Sequence, residues 1–287
     1  MRLLVTGGAG FIGSHLAEAL LKKGYAVNVL DNLYMGKRDN VPLAAQFFEG
    51  DIQDPSIVEQ AMEGVDAVVH LAARVAIRDS VSHFCEDAQT NLIGTLQLLK
   101  HCGKRKIRKF IFASSMAVYG DSQSPTPISE TYLQEPISPY GIAKLAAEKY
   151  VGLLCRQFNL PWISLRYFNV YGPRQTFTPY VGVITIFIRN LQKGKTITIF
   201  GDGKQERDFI YVGDIVKATL LALESDVNGE VFNVGTGRGT SVRQIAQLLI
   251  QHLRPGLEPR VPRLGKCAGT VYGTNGSSCS PHPPPLP

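Results

Sequence analysis

Across the first two thirds of the chain, short unbroken apolar runs alternate with longer segments whose apolar residues recur at helical spacing. Unbroken runs suit strands covered on both faces, and the longer segments suit amphipathic helices. Such alternation predicts βαβ units around a parallel sheet. Strands are expected at 2–6, 26–31, 46–49, 67–71, 109–115 and 162–167, and helices at 11–23, 55–62, 83–101 and 139–158. Beyond Asn169 the pattern turns irregular, as it does where loops grow from the carboxyl ends of strands. Helices are still expected at 183–192, 213–223 and 241–253, with a strand at 230–234. From Pro255 no apolar periodicity is sustained, and 275–287 is dominated by Ser, Gly and Pro, so this tail is expected to be disordered.

The first strand runs into the second element through Thr6-Gly7-Gly8-Ala9-Gly10-Phe11-Ile12-Gly13. Glycines at 7, 10 and 13 let the backbone turn tightly and approach a pyrophosphate seated on the helix N-terminus. A glycine-rich turn need not hold any ligand. Here a strand precedes it, an amphipathic helix follows, and Asp31 closes the second strand. An acid at that point accepts hydrogen bonds from a ribose diol and repels a 2′-phosphate, which favours NAD over NADP. Lys37 and Arg38 lie close by and read as surface-loop cations.

Further on, Ser138-Pro139-Tyr140-Gly141-Ile142-Ala143-Lys144 places a phenol and an ammonium one turn apart on one helix face. A free tyrosine titrates near pH ~10, and a neighbouring cation is expected to lower that by favouring the phenolate. A tyrosine so tuned exchanges protons near neutral pH, which hydroxyl-to-carbonyl chemistry requires. Many helices carry a tyrosine and a lysine at this spacing, so the companions of the pair decide its meaning.

Bulk properties narrow the field without adding chemistry. The 287 residues, 44% hydrophobic and 19% charged, are ordinary for a soluble globular protein with a substantial core. The net charge of +6 invites a search for a polyanion surface. Its densest basic stretch, Lys104 to Lys109, reads as a solvated turn without interleaved aromatics, so nucleic-acid binding is not expected. Five cysteines show neither zinc-like nor disulfide-framework spacing, and no metal is expected. No apolar run reaches the ~18 residues of a membrane span, and the chain opens directly on a strand without a leader. A cytoplasmic protein without membrane contact is the expectation.

Read together, the motifs resemble the nucleotide-sugar epimerase/dehydratase branch of the extended short-chain dehydrogenases/reductases. The glycine loop has the T-G-x-x-G-x-x-G form of that superfamily. Also matching are Asp51-Ile52, His70-Leu71-Ala72-Ala73, Thr90-Asn91, Gly94-Thr95, Ser114 to Gly120, Tyr140 with Lys144, Arg166 to Arg174, and Arg207 to Val212 with Asp214. The resemblance spans about residues 1–252. It implies an α/β Rossmann fold, a doubly wound parallel sheet with a smaller C-terminal substrate-binding lobe. Residues 1–168 would form mainly the NAD-binding domain and 169–254 mainly the substrate lobe, with the chain able to return to the sheet, while 255–287 is atypical.

By the same resemblance, Gly7, Gly10, Phe11, Ile12 and Gly13 would hold the pyrophosphate of NAD, and Asp31 and Asn32 the adenosine ribose. Asp51 and Ile52 would flank the adenine, Leu71, Ala72, Ala73 and Thr90 would run along the cofactor, and Tyr167 and Phe168 would lie near the nicotinamide. Ser115, Tyr140 and Lys144 would be catalytic, with Tyr140 and Lys144 also touching the cofactor and Ser115 and Tyr140 the substrate. Asn169 and Arg207 would hold the diphosphate of a UDP-sugar or related nucleotide sugar, an anion suited to a guanidinium fork.

Dehydratases and decarboxylases of the branch carry an acid just after the serine or threonine, where this chain has Met116-Ala117. The Ser-Ser-x-x-Val-Tyr-Gly form is similar instead to 4-epimerases of the UDP-glucose/UDP-galactose type. A 4-ketosugar reductase, a dehydratase, or an NAD-binding relative without turnover are the alternatives. Dimerisation is expected through a four-helix bundle made by 83–101 and 139–158 of two copies. Pro259 to Lys266 begins like the family's next segment and then departs from it, so the substrate lobe is expected to be truncated.

Overall fold

The structure is a computed structural model that describes residues 1–122, 127–177 and 182–260. Its first half runs β1 (Arg2–Thr6), α1 (Phe11–Lys22), β2 (Ala26–Asp31), β3 (Gln46–Glu49), α2 (Pro55–Ala61) and β4 (Ala67–His70). Then come α3 (Ile77–Ser82), α4 (Phe84–Ala88), a π-helical stretch Gln89–Gly94, α5 (Thr95–Cys102), β5 (Lys109–Ser115), α6 (Pro139–Gln157) and β6 (Trp162–Tyr167). The remainder is β7 (Asn169–Tyr171), α7 (Val183–Gln192), β8 (Glu206–Arg207), β9 (Phe209–Tyr211), α8 (Val212–Glu224), β10 (Glu230–Val234), β11 (Thr240–Ser241) and α9 (Val242–Leu253).

Seven strands form one parallel sheet in the order β10-β6-β5-β4-β1-β2-β3. The chain builds outward from β1 in one direction and then, from β4, in the other. That reversal leaves a crevice at the carboxyl ends of β1 and β4, where ligands of such sheets bind. Strands β1, β4, β5 and β6 are buried almost throughout, which is why they read as unbroken apolar runs.

Three separate cores follow. One face of the sheet packs Leu16, Leu20, Ile215 and Val216 of α1 and α8 against Val5, Val29, Ile111 and Ile163. The other packs Val58, Leu98, Ala147 and Val151 of α2, α5 and α6 against Leu4, Val68, Phe110 and Phe112. The third lies off the sheet, where Phe187 and Leu191 of α7 meet Ile197, Ile199 and Val242, Ala246 and Ile250 of α9. This last unit is the lobe.

Three expectations are revised. The single helix expected at 83–101 is α4, a π-helical stretch and α5, preceded by a separate α3. Periodicity cannot register a π-helical insertion of this kind, which shifts a face without interrupting the helix. The strands β7, β8, β9 and β11 are two or three residues long and leave no periodic signal. Finally, the loss of order expected from Pro255 does not begin there. Leu257 packs on the lobe core, and Arg260 pairs with the 197–199 segment through Ile199 N to Arg260 O (3.0 Å) and Arg260 N to Ile197 O (2.8 Å). The rest of the tail, 261–287, lies outside the described residues. Among the described residues no helix is long and apolar enough to cross a membrane, and no cluster of side chains could hold a metal ion.

Candidate active site

The crevice opens into one continuous cavity of about 1320 Å³ that reaches from the glycine loop to β8. Every site residue expected from the sequence lines it, from Gly7, Gly10, Phe11, Ile12 and Gly13 through Asp31, Asn32, Asp51 and Ile52 to Leu71, Ala72, Ala73 and Thr90. Ser115, Tyr140, Lys144, Tyr167, Phe168, Asn169 and Arg207 line its far part.

At the near end the backbone is shaped for an anion. Gly7 turns at φ +70°, and a Cβ on Gly13 would lie 2.2 Å from the Gly7 carbonyl oxygen. Helix α1 starts at Gly10 with no side-chain cap and no acid in its first turn. Its leading N–H groups and positive dipole end therefore face the cavity unneutralised. Asp31 takes the Ala9 N–H (3.0 Å) and the Leu33 N–H (2.8 Å), which ties the glycine loop to the end of β2. Burial pushes its carboxyl up, and the backbone N–H bonds oppose that. Each carboxylate oxygen keeps acceptor capacity for a ribose hydroxyl. Asn32 donates to Asp51 (2.7 Å), joining the two acidic loops beside the cavity. A glycine cradle, an open helix N-terminus and a carboxylate at the next strand end fit a dinucleotide. Gly13→Ala is accordingly expected to yield protein without bound dinucleotide, measured as the absorbance at 260 nm released on denaturation.

The wall between the two ends is fixed by His70. Its Nε2 bonds Thr95 Oγ1 (2.9 Å) and its Nδ1 bonds Thr6 Oγ1 (2.7 Å), while Thr95 donates to Asn91 O (2.8 Å). Nε2 is thus the protonated nitrogen, and Thr6 donates to Nδ1. Burial, with the Lys144 charge adding to it, pushes His70 down to about 3, so the ring is neutral. Thr6 Oγ1 also accepts from Leu71 N and Ala72 N at 3.2 Å each, which aims this backbone along the cavity.

At the far end, Ser138 caps α6 by accepting from Gly141 N (3.1 Å), and Pro139 occupies its first turn. A Cβ on Gly141 would lie 2.2 Å from Ala117 O, so only glycine lets the helix press against the turn after Ser115. That approach sets the Tyr140 hydroxyl and Ser115 side by side in the cavity lining, close enough for Ser115 to favour the phenolate. Ser115 Oγ also accepts from Ala117 N (3.1 Å).

Here the spacing argument meets a correction. Tyr140 is pushed up, not down, to about 12, by burial, with Ser115 opposing and the Asp87 carboxylate adding to the rise. Lys144 is pushed down to about 8 by burial, with Asp87 opposing. The ammonium donates to Ala113 O (2.9 Å) and sits 4.9 Å from the centre of the Phe112 ring. Desolvation of a phenol inside a closed helix–sheet contact outweighs the help of a lysine that is engaged elsewhere.

Asn169 donates from both its backbone N and Nδ2 to Asp208 O at 3.1 Å, with Nδ2 also 3.2 Å from Met116 Sδ. Arg207 stands on β8, which pairs with β11 at the foot of α9. Burial holds its guanidinium below the usual range, with Asp121 opposing. Tyr167 lines the cavity beside Phe168, and its OH is bonded to Thr219 Oγ1 in the core (2.7 Å).

Sequence reasoning missed the cavity wall contributed by Tyr34, Met35, Arg74 to Arg78, Glu86 and Gln89, and the lobe residues Ile184, Phe187, Thr198 and Phe200. Arg74 reaches across the crevice to lie 4.8 Å from the Tyr34 ring centre and 3.2 Å from Asp79. No periodic or motif signal marks residues brought together by two loops.

The model of the NAD dependent epimerase/dehydratase family matches residues 3–235. A putative UDP-glucose 4-epimerase of Methanocaldococcus jannaschii is 42% identical over 249 residues, 86% of this chain and 81% of its own length. The crystal structure of a Thermotoga maritima UDP-glucose 4-epimerase with UDP-glucose superposes at a TM-score of 0.88 with 44% identity, covering 93% of this chain and 87% of that one. A Bacillus cereus UDP-glucuronic acid 4-epimerase, in complex with UDP-glucuronic acid and NAD, superposes at 0.83 with 36% identity, covering 91% and 86%.

Proposed function

Because this chain belongs to the NAD-dependent epimerase/dehydratase family, an enzyme whose cofactor is NAD, we propose that it inverts C4 of a UDP-sugar of the glucose/galactose type through a transient 4-keto sugar. The observation that carries this reading is Ser115 beside the Tyr140 hydroxyl in the cavity lining, with Met116 and Ala117 following Ser115. The two hydroxyls would transfer the proton, and the residues after Ser115 are Met116 and Ala117 rather than the acid that elimination or decarboxylation would use.

Gly7, Gly10, Phe11, Ile12 and Gly13 would hold the pyrophosphate of NAD, and Asp31 with Asn32 its ribose. Bound NAD supplies a hydride acceptor and donor and, when oxidised, a positive charge beside the phenol. As a phenolate, the form that the positive charges of Lys144 and oxidised NAD would favour, Tyr140 would take the proton of the C4 hydroxyl at its phenolic oxygen, with Ser115 beside it. Lys144 keeps a positive charge behind the pair. Asn169 and Arg207 hold the diphosphate while the keto sugar turns to present its other face. Tyr140 then returns the proton, and the net redox change is zero.

The test is conversion without an external reductant. The purified protein is incubated with UDP-glucose, UDP-N-acetylglucosamine and UDP-glucuronate, with no nicotinamide added. Interconversion of a C4 pair supports the reading. Turnover that starts only on adding NADPH favours a ketoreductase, and bound NAD without turnover favours an inert relative.

The unit is proposed to be a homodimer through a four-helix bundle. Helix α6 exposes Ile142, Tyr150 and Leu153 on one face, and Phe84 and Ile93 are exposed beside it. Leu153→Glu is expected to turn a dimer into a monomer in sedimentation velocity; a wild-type monomer would refute the bundle.

A further inference from the structure

The catalytic pair has a charged neighbour that lies outside the cleft. Asp87 on α4 is 1% exposed, as buried as the residues around it, and its Oδ2 has no hydrogen-bond partner. Helix α4 packs directly on α6, the helix that carries Tyr140 and Lys144. A carboxylate buried without a full set of hydrogen bonds is costly unless a positive charge compensates it. Lys144 is 2% exposed and carries a buried ammonium on the facing helix.

The groups that face Asp87 come from every element around it. Lys144 and Tyr140 face it from α6, Arg74 from the loop after β4, Asp79 from α3, and Asn91 from the π-helical stretch. Arg74 is shared with Asp79, to which it is ion-paired at 3.2 Å, and Asp79 also holds His83 at 3.0 Å. That leaves Lys144 as the cation that no other described acid compensates, since Asp87 is the acid whose charge reaches it.

Resting on the reading of Tyr140 as the proton-transferring group, we propose that Asp87 is a positioning residue that sets the charge of the Tyr140–Lys144 pair from behind the helix. Its carboxylate holds the proton on Lys144 and at the same time resists ionisation of Tyr140. Both effects have one sign in pH. A negative charge keeps both groups protonated to higher pH, so its removal lets both lose their protons earlier. Asp87 therefore places the whole active pH window without touching substrate or cofactor.

Asp87→Asn preserves the shape while removing the charge. The full chain with its own cofactor, labelled with ¹³Cε-lysine, is titrated by NMR in both forms, and the Lys144 signal is identified by its loss in Lys144→Met. The Lys144 midpoint is expected to fall by about one pH unit in Asp87→Asn. Both limbs of the kcat/KM profile should move the same way, since the two protons belong to a coupled pair. An unchanged midpoint overturns the proposal, and so does a lower rate with limbs that stay in place, the signature of a purely structural role. If Asp87→Asn does not fold, Asp87→Ser carries the same test, and Asp87→Glu should keep the wild-type midpoint. The NMR readout needs no substrate. A shifted midpoint in a protein that converts no nucleotide sugar would therefore sink the epimerase reading alone.

Discussion

Replacing Tyr140 with Phe is expected to lower kcat about a thousandfold, within the range that a positioned proton-transfer group contributes. The ring stays, so the helix–sheet contact and the cavity wall remain intact. What disappears is the oxygen beside Ser115 that would take the C4 proton. NAD content should match wild type, because the groups proposed to hold it lie on the glycine loop and the ends of β2 and β4. The measurement pairs initial rates of C4 interconversion with cofactor released on denaturation. Retained turnover would remove the phenol from the mechanism. Loss of both rate and cofactor would make it a structural residue.

The largest stability effect is expected at Arg166. This residue, 2% exposed, makes a bidentate pair with Glu148 of α6, Nε to Oε2 at 3.0 Å and Nη2 to Oε1 at 2.5 Å. Its Nη1 donates to the Tyr119 hydroxyl (2.7 Å) and to Glu130 O (2.8 Å), and Tyr119 passes its own proton to Asn233 Oδ1 of β10 (2.6 Å). One guanidinium thereby joins β6, β10, the loop after β5 and the helix that carries Tyr140. Arg166→Met leaves Glu148 buried without a partner, and breaking such a pair costs about 3–5 kcal/mol. For a chain of this size that corresponds to a fall of roughly 10 °C in melting temperature. The double variant Arg166→Met/Glu148→Leu removes both charges and should recover most of the loss. Thermal unfolding of wild type and the two variants measures it, and a double variant as unstable as the single one would contradict the argument.

The legible parts of this molecule were those with a repeating or an ordered signal. Strands β1, β4, β5 and β6 announced themselves because burial on both faces favours apolar side chains along most of their length. Gly7 and Gly13 were visible because neither leaves room for a Cβ, which would meet the Ala72 backbone N at 2.8 Å from Gly7 and the Gly7 carbonyl oxygen at 2.2 Å from Gly13. The cavity brought the whole set of expected site residues to one surface. What escaped was the sign of the Tyr140 shift, which depends on how much water the fold removes and on Asp87, more than fifty positions away in the chain. Arg74 over Tyr34 escaped for the same reason. Such contacts are set by which loops the sheet order brings side by side, and no local pattern encodes them.

The separate core under α7 and α9 bears on how the molecule handles its two ligands. Asn169 is carried by β7, which continues from the sheet and pairs with β9, whereas Arg207 is carried by β8, which pairs only with β11 of the lobe. The two proposed grips on the diphosphate therefore stand on opposite banks, joined by Asp208, whose carboxylate takes the N–H groups of Thr236 and Gly237. The proposed grips on the dinucleotide, the glycine loop and the ends of β2 and β4, stand on the sheet bank. A unit with its own core opens at lower cost than the whole fold. Swinging the lobe away would part the two halves of the sugar-nucleotide clamp and leave the dinucleotide's seat untouched, so the substrate would turn over many times on a cofactor that never leaves.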